Sequence, residues 1–252
     1  MLCHSADELV TNIYPGIAML DTRETHEGYF SERTILAPRN EEVAALNDLL
    51  LGKFPGRVME YQSADSVEVE QGADADVVYP VEFLNTINAS GLPLSKLKLK
   101  VGCPVMILRN LDPRRGLCNG TRAILLHASQ HVLEVKIIGG DFGDERDRKA
   151  FIPCIDLVEE ETAALPFKFR RHQFPLRLAF AMTINKAQGQ SVRHVGIDLQ
   201  TPVFTHGQLY VALSRCTSSL RIKALLKDAS GLQPQEQQKE TKNIVYPEAL
   251  LD

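Results

Sequence analysis

The sequence predicts an α/β domain built on a parallel sheet and interrupted by a small all-β insertion. Two observations carry this. Strand signals at 34–38, 194–199 and 220–226, with an apolar run ending at Thr183, alternate with helix-patterned segments, the texture of a parallel sheet with crossover connections. Residues 92–158, by contrast, hold four or five strand signals joined by short turns, with almost no helical periodicity. The expected division is an N-terminal segment at 1–29, a first part of the α/β domain at 30–91, the β insertion at 92–160, and a second part at 161–227. The polar tail at 228–252, with QPQEQQKETKN inside it, reads as disordered.

Each element follows from local pattern. TILAP at 34–38 is a short β-branched strand closed by proline. Asn40 is the expected helix N-cap, with Glu41 and Glu42 in the first turn, where the helix dipole favours acids. Val43, Leu46, Leu49 and Leu50 recur at helical spacing up to Gly52, and a strand resumes at 57–61, so 34–61 reads as one β-α-β unit. Residues 62–78 are acidic and poor in apolar side chains, the pattern of a surface excursion. In the insertion, LKLKVG alternates by twos, CPVMILRNL continues as a buried strand, and Asn119-Gly120 marks a tight turn before TRAILLHA. HVLEVKII is another alternating strand, 141–149 a charged turn and FIPCIDLV a further strand; a barrel or a sandwich accommodates the set. LRLAFAMT then reads as one strand running into KAQGQS. HVGIDL is a strand, 205–215 a helix with Leu209, Ala212 and Leu213 inward, and LRIKALL a last strand.

Composition narrows the function classes. The 252 residues are 44% hydrophobic and 24% charged, the mix of a folded soluble protein. Charge or proline cuts every apolar stretch well short of the ~18 residues a membrane-spanning helix needs, and MLCHSADELVTN has neither signal-peptide nor transit-peptide order. Membrane and secretory readings are therefore set aside. Five scattered cysteines without a CxxC pair argue for a reducing compartment, and the seven histidines show no metal-ligand spacing, so no metal site is expected in this chain.

The net charge of −4 conceals a segregation. Residues 1–90 carry 5 Lys/Arg against 16 Asp/Glu, whereas 165–227 carry 10 against the single Asp198. Such a basic region either faces an anionic partner or pairs with the acidic part of its own chain.

Three segments bear chemistry. TINKAQGQS, Thr183 to Ser191, follows a strand end, where ligands gather in parallel sheets. Lys186 supplies charge, Gln188 an amide, Gly189 a close backbone approach and Ser191 a hydroxyl; an ordinary strand-to-helix connection is the competing reading. LYVALSRC ends a helix in Arg215, whose guanidinium, projecting past the helix end, suits a phosphate as an arginine finger or else satisfies the helix dipole. Arg39, just past the 34–38 strand, is a weaker candidate of the same kind. The four-arginine hairpin LRNLDPRRGLCNGTR is either a contact surface or a solvated turn.

Taken together, ILAPRNEEVAALN, GCPVMILRNLDPRRGLCNGTRAILL, FAMTINKAQGQSV and QLYVALSRCTS resemble, in order and spacing, the superfamily 1B DNA helicases. The likeness is to the petite-integration-frequency group and the Helitron helicases, kin to RecD, and covers residues 30–227. The resemblance implies the second of two RecA-like, P-loop-NTPase-type motor domains with a β-barrel insertion. ATP with Mg2+ would lie in a cleft between the two domains, bound mostly by the first, and single-stranded DNA across both. It implies that Arg215 and, more weakly, Arg39 act on the nucleotide phosphates. Gln188 and Gly189 join Arg215 in nucleotide binding, while Thr183, Asn185, Lys186, Gln190 and Ser191 contact DNA. Asn185 stands where many relatives have histidine, which puts base stacking there in doubt.

The resemblance stops short of a complete motor. A Walker A loop, GxxxxGK[ST], and a magnesium-binding acidic pair are needed to hold a nucleotide. The Gly52-Lys53 pair has Asn47 in place of the first glycine and Phe54 in place of Ser or Thr, and Asp7-Glu8 follows CHSA in place of a buried strand. The expectation is the C-terminal half of a 5′-to-3′ DNA helicase, with residues 1–29 left from the junction and a first RecA-like domain as its partner. It is expected in the nucleus, with mitochondria the family's other compartment, and to be inactive alone. A non-catalytic single-strand-binding module and a transposon-derived relic are the alternatives.

Overall fold

The computed structural model describes residues 2–21, 24–68, 79–88, 91–139, 148–159, 167–226 and 241–246. In chain order the first strands are β1 (Leu2–Cys3), β2 (Arg33–Ala37), β3 (Met59–Gln62), β4 (Ala64–Glu68), β5 (Lys96–Leu99), β6 (Pro104–Ile107), β7 (Arg122–Ala128) and β8 (Val132–Ile137). They are followed by β9 (Lys149–Pro153), β10 (Ile155–Glu159), β11 (Lys168–Gln173), β12 (Leu176–Leu178), β13 (Ala181–Thr183), β14 (His194–Leu199) and β15 (Ile222–Leu226). The α-helices are α1 (Ala6–Ile13), α2 (Glu27–Ser31), α3 (Asn40–Lys53), α4 (Val81–Thr86) and α5 (Gln208–Ser214). The chain divides into two units, one of residues 1–21, 26–55 and 179–252, the other of 22–25 and 56–178.

The first unit is a five-stranded sheet in the order β1-β15-β14-β2-β13, with every pairing parallel. Ser5 caps α1 by accepting from the Glu8 N–H at 3.1 Å, and Leu9, Val10 and Ile13 form its buried face. Gly196 in β14 lets that face approach: a Cβ there would lie 2.9 Å from Ile13 Cγ1 and 3.1 Å from Ile35 Cγ1. Tyr14, Phe30, Phe54 and Phe180 interlock with ring centroids 5.8–6.3 Å apart, mostly tilted or edge-on, the arrangement their quadrupoles favour. Tyr14 is wholly buried, and its hydroxyl donates to the Phe180 carbonyl at 2.6 Å.

The second unit is antiparallel. It contains a five-stranded sheet, β12-β6-β7-β8-β9, a three-stranded sheet, β10-β11-β4, and the β3-β5 ribbon. Leu84, Leu92, Leu157, Phe167 and Phe169 form one of its cores. Beside Phe169, Arg171 is fully buried. Its guanidinium donates to both Asp65 carboxylate oxygens, at 2.7–3.2 Å, and to the carbonyls of Leu84, Ile87 and Pro93.

Several expectations are corrected. The 34–61 segment is not a β-α-β unit: after α3 the chain leaves the parallel sheet, and β3 pairs antiparallel with β5. The structural division falls at 55/56 and 178/179, where the sequence suggested 91/92 and 160/161. LRLAFAMT is two strands in two sheets, β12 against β6 and β13 against β2, broken at Ala179-Phe180. FIPCIDLV likewise splits at Cys154 into β9 and β10. Among the described residues the strands of the insertion are distributed over a five-stranded sheet, a three-stranded sheet and a two-stranded ribbon. Residues 64–68, expected on the surface, are a strand carrying the buried Asp65. Within the N-terminal segment β1 pairs parallel with β15, and α1 buries Leu9, Val10 and Ile13 in the same unit. The cap of α3 is Arg39, not Asn40, because the Glu42 carboxylate reaches back to the Arg39 N–H at 2.8 Å. The last helix is shorter than expected, and Leu213 on it is 47% exposed. Residues 69–78, most of the 141–149 turn and most of the tail lie outside the described residues.

Candidate nucleotide and nucleic-acid site

Because the sheet is parallel, the carboxyl ends of β2, β13 and β14 share one edge, with Thr183 beside Ala37 in register. Ligands of parallel sheets gather at this edge. Beyond Thr183 the chain makes one 3-10 turn, Ile184–Ala187, burying Ile184 and Ala187 and leaving Asn185, Gln188, Gly189 and Ser191 exposed. Gly189 has φ +80°, a left-handed conformation that disfavours a side chain, and it reverses the chain without a clash. Lys186 and Gln190 are half-buried, and the Gln190 N–H closes the turn on the Ala187 carbonyl at 3.0 Å.

Helix α5 lies against this turn and is fastened to it at both ends. At its C-terminal end Arg215 does not project past the helix. Its Nε donates back to the Val211 carbonyl at 3.0 Å, and Nη1 donates to the carbonyls of Ala187 and Gln190 at 3.3 and 3.2 Å. Nη2 donates to the Ser214 hydroxyl at 2.9 Å, and the Val192 N–H donates to the Arg215 carbonyl at 3.0 Å. A planar fork with several donors is suited to holding several acceptors at once. At the N-terminal end, the buried Gln208 accepts from the Phe204 N–H at 3.0 Å and donates to Asn185 Oδ1 at 3.5 Å. Phe204 is 46% exposed, and the Arg39 guanidinium lies 5.7 Å from its ring centroid. Arg39, at the end of β2, is itself exposed.

The structure therefore groups Thr183, Asn185, Lys186, Gln188, Gly189, Gln190, Ser191 and Arg215 around one turn, and places Arg39 on the same sheet edge through Phe204. Gln208 and Phe204 were not singled out by sequence pattern; a glutamine at the first position of a helix reads as a solvated residue. Asp198, near the end of β14, is 5% exposed and accepts from the Gln200 backbone N–H at 3.1 Å. Burial holds its carboxyl above the ordinary carboxylate range, against the Gln200 hydrogen bonds that lower it.

Internal pairing accounts for part of the basic region. Arg171 pairs with Asp65 and Arg193 with Glu32 at 2.9 Å, so two of its cations meet acids of the 1–90 segment. The Gly52-Lys53 pair lies at the C-terminal end of α3, with Lys53 3.0 Å from Asp7. Among the described residues no group of three or more His, Cys, Asp or Glu could hold a metal ion, and no helix is long and apolar enough to cross a membrane.

A family model described as the 2B domain of the DNA helicase Pif1 matches residues 82–127, which run from α4 into β7 of the second unit. The ATP-dependent DNA helicase PIF1 of Danio rerio is 32% identical over 193 residues, covering 73% of this chain and 26% of its own length. The chain is Pif1-like. The Homo sapiens PIF1 helicase is also 32% identical, over 76% of this chain and 27% of its own. The crystal structure of Pif1 helicase from Candida albicans superimposes with a TM-score of 0.56 at 26% identity, covering 76% of this chain and 44% of that one. A Bacteroides Pif1 in complex with ADP-AlF3 and ssDNA gives 0.58 at 23% identity over 98% of this chain and 48% of that one, a likeness of fold. The α/β fold with its insertion is thus that of Pif1 helicases. The Pif1-like chain spans about a quarter of the length of the curated relatives named here.

Proposed function

We propose that this Pif1-like chain is the second motor domain, with its β insertion, of an ATP-dependent 5′-to-3′ DNA helicase. The observation that carries the reading is the attachment of Arg215 to the Ala187 and Gln190 carbonyls. A nucleotide-side arginine and the proposed DNA-side turn are thereby one mechanical unit. Thr183, Asn185, Lys186, Gln190 and Ser191 form the proposed track for single-stranded DNA. Gln188 and Gly189, with Arg215 and Arg39, face the nucleotide.

The residues present fit one wall of a nucleotide site and no more. ATP, when bound, supplies phosphate oxygens and the energy of hydrolysis. Arg215 can place its fork on the turn carbonyls or on an anion, not on both, so the turn is held or released according to what Arg215 binds. Arg39, exposed and lying near the Phe204 ring, needs no such exchange. Magnesium finds no ligand set among the described residues, and no step is assigned to it. The 252 residues contain no Walker A sequence, so catalysis requires a first motor domain as partner. Work on DNA supports a nuclear location as part of this reading, with mitochondria as the family's alternative.

The decisive experiment compares ATP turnover by the chain alone with turnover by a fusion carrying a relative's first motor domain ahead of Leu2. The expected result is no turnover by the chain alone and DNA-stimulated turnover by the fusion. The chain alone should still bind single-stranded DNA, with a slope of about −2 to −3 in log affinity against log salt for roughly 3–4 phosphate contacts. DNA-stimulated turnover by the purified chain alone, or a fusion that is inert while folded, would overturn the assignment.

A further inference from the structure

Gln208 is 2% exposed, and a buried amide left unpaired is costly, so its two hydrogen bonds define what the position requires. Its Oε1 takes the Phe204 N–H, fixing the loop whose ring lies near Arg39, and its Nε2 reaches Oδ1 of the exposed Asn185. With Oδ1 held from behind, Asn185 presents its amide nitrogen outward as a donor. That polarity matches phosphate oxygens and base carbonyls and opposes other donors. A short exposed side chain would otherwise lose rotamer freedom on binding; one already held loses less.

We propose that Gln208 is a positioning residue that orients Asn185 for single-stranded DNA and ties that orientation to the Phe204–Arg39 edge. The proposal deepens the reading above and rests on Asn185 facing DNA. Gln208 touches no nucleic acid itself; it acts through Asn185. Helix α5 thereby carries two attachments to the DNA-side turn, Arg215 to its backbone and Gln208 to its side chain, so a shift of the helix is felt by both.

The test is a double-mutant cycle on the full chain, read by fluorescence anisotropy with a labelled oligothymidine at low salt. Gln208→Met keeps the volume and removes both amide functions, and Asn185→Ala removes the group it orients. Each single change should weaken binding about three- to tenfold, the range of one hydrogen bond, and the double variant should lose no more than the worse single one. Val10→Ala, in the buried face of α1, serves as the control that lowers the melting temperature without changing DNA affinity. Additive losses, or a Gln208→Met variant that binds like wild type while Asn185→Ala does not, would overturn the proposal and leave the functional reading intact. Absence of binding by the wild-type chain would overturn both. Should Gln208→Met fail to fold, the NMR signal of the wild-type Asn185 side-chain amide, assigned through Asn185→Ala, decides the matter. A signal as ordered as the backbone supports the proposal, and free side-chain mobility refutes it.

Discussion

Asn47 grips the backbone of Ala181 from both sides: its Nδ2 donates to the Ala181 carbonyl at 3.0 Å and its Oδ1 accepts the Ala181 N–H at 2.9 Å. The amide thus takes the place of a neighbouring strand at β13, the edge of the sheet that leads into the Thr183–Ser191 turn. Asn47→Ala leaves a buried N–H and a buried carbonyl without partners, at about 1–3 kcal/mol each. The expected loss in urea unfolding is roughly 2–4 kcal/mol, larger than an alanine substitution at an exposed α3 position. A loss under ~1 kcal/mol would mean that water or a shifted strand replaces the clamp.

The Arg171–Asp65 pair makes a different demand. Both side chains are fully buried, so removing one leaves the other's charge in the interior. Arg171→Met alone should destabilise the chain by about 3–5 kcal/mol, whereas Arg171→Met with Asp65→Leu should recover much of that. Arg171→Lys keeps the charge but cannot reach Asp65 and the Leu84, Ile87 and Pro93 carbonyls together. Equilibrium denaturation of the three variants distinguishes the pair from its packing; a double variant no better than the single one would show that the backbone contacts of Arg171 dominate.

The outline of the parallel sheet was legible in the sequence because β2 and β14 are short, apolar and bounded by proline, charge or glycine. What was hidden follows from the physics of the signals. Leu176 to Thr183 is almost continuously apolar, and hydropathy cannot mark the point where a chain passes from one sheet to another. Asp65 and Arg171 are 106 residues apart in sequence, and each looks like a solvated charge until a strand pairing brings them together. Helix α5 has seven residues, too few for a periodic stripe to separate Leu213, which is exposed, from Ala212, which is not. The motif residues were legible as a set, but their geometry was not: the arginine expected to project past α5 turns back to bind carbonyls.

Asp198 gives a pH dependence whose sign is fixed by burial. Its folded-state carboxyl titrates above the ordinary 3.8 because desolvation penalises the charged form. The folded state therefore holds the proton more tightly than the unfolded one. The stability this confers is fully present below about pH 3.8 and is lost as pH rises through the folded value. At pH 7 the charged carboxylate is a cost, and Asp198→Asn, which keeps one acceptor for the Gln200 N–H, should raise the melting temperature. The advantage should shrink towards acid pH. An Asp198→Asn variant less stable than wild type at pH 7 would show that the Gln200 hydrogen bonds outweigh desolvation.

Arg215 is the most informative single substitution, because its present partners and its proposed ones differ. The fusion that reads it must join ahead of Leu2, since a junction at Ser31 would remove β1 from the sheet and the buried face of α1 from its unit. An arginine finger is typically worth ~10³–10⁵ in turnover, so Arg215→Ala in that fusion should lose at least about a hundredfold. The Ala187 and Gln190 carbonyls lose their donor in the same substitution. Affinity for single-stranded DNA without nucleotide should therefore fall as well, by roughly the three- to tenfold of a lost hydrogen bond. Arg215→Lys keeps a point charge but not the fork, and one ammonium cannot span Val211, Ala187 and Gln190. It should retain part of the DNA affinity and little of the turnover. Turnover assays and anisotropy on the same three proteins separate the two roles. Intact turnover in Arg215→Ala with weakened DNA binding would reduce Arg215 to a fastener of the turn and remove it from the nucleotide side.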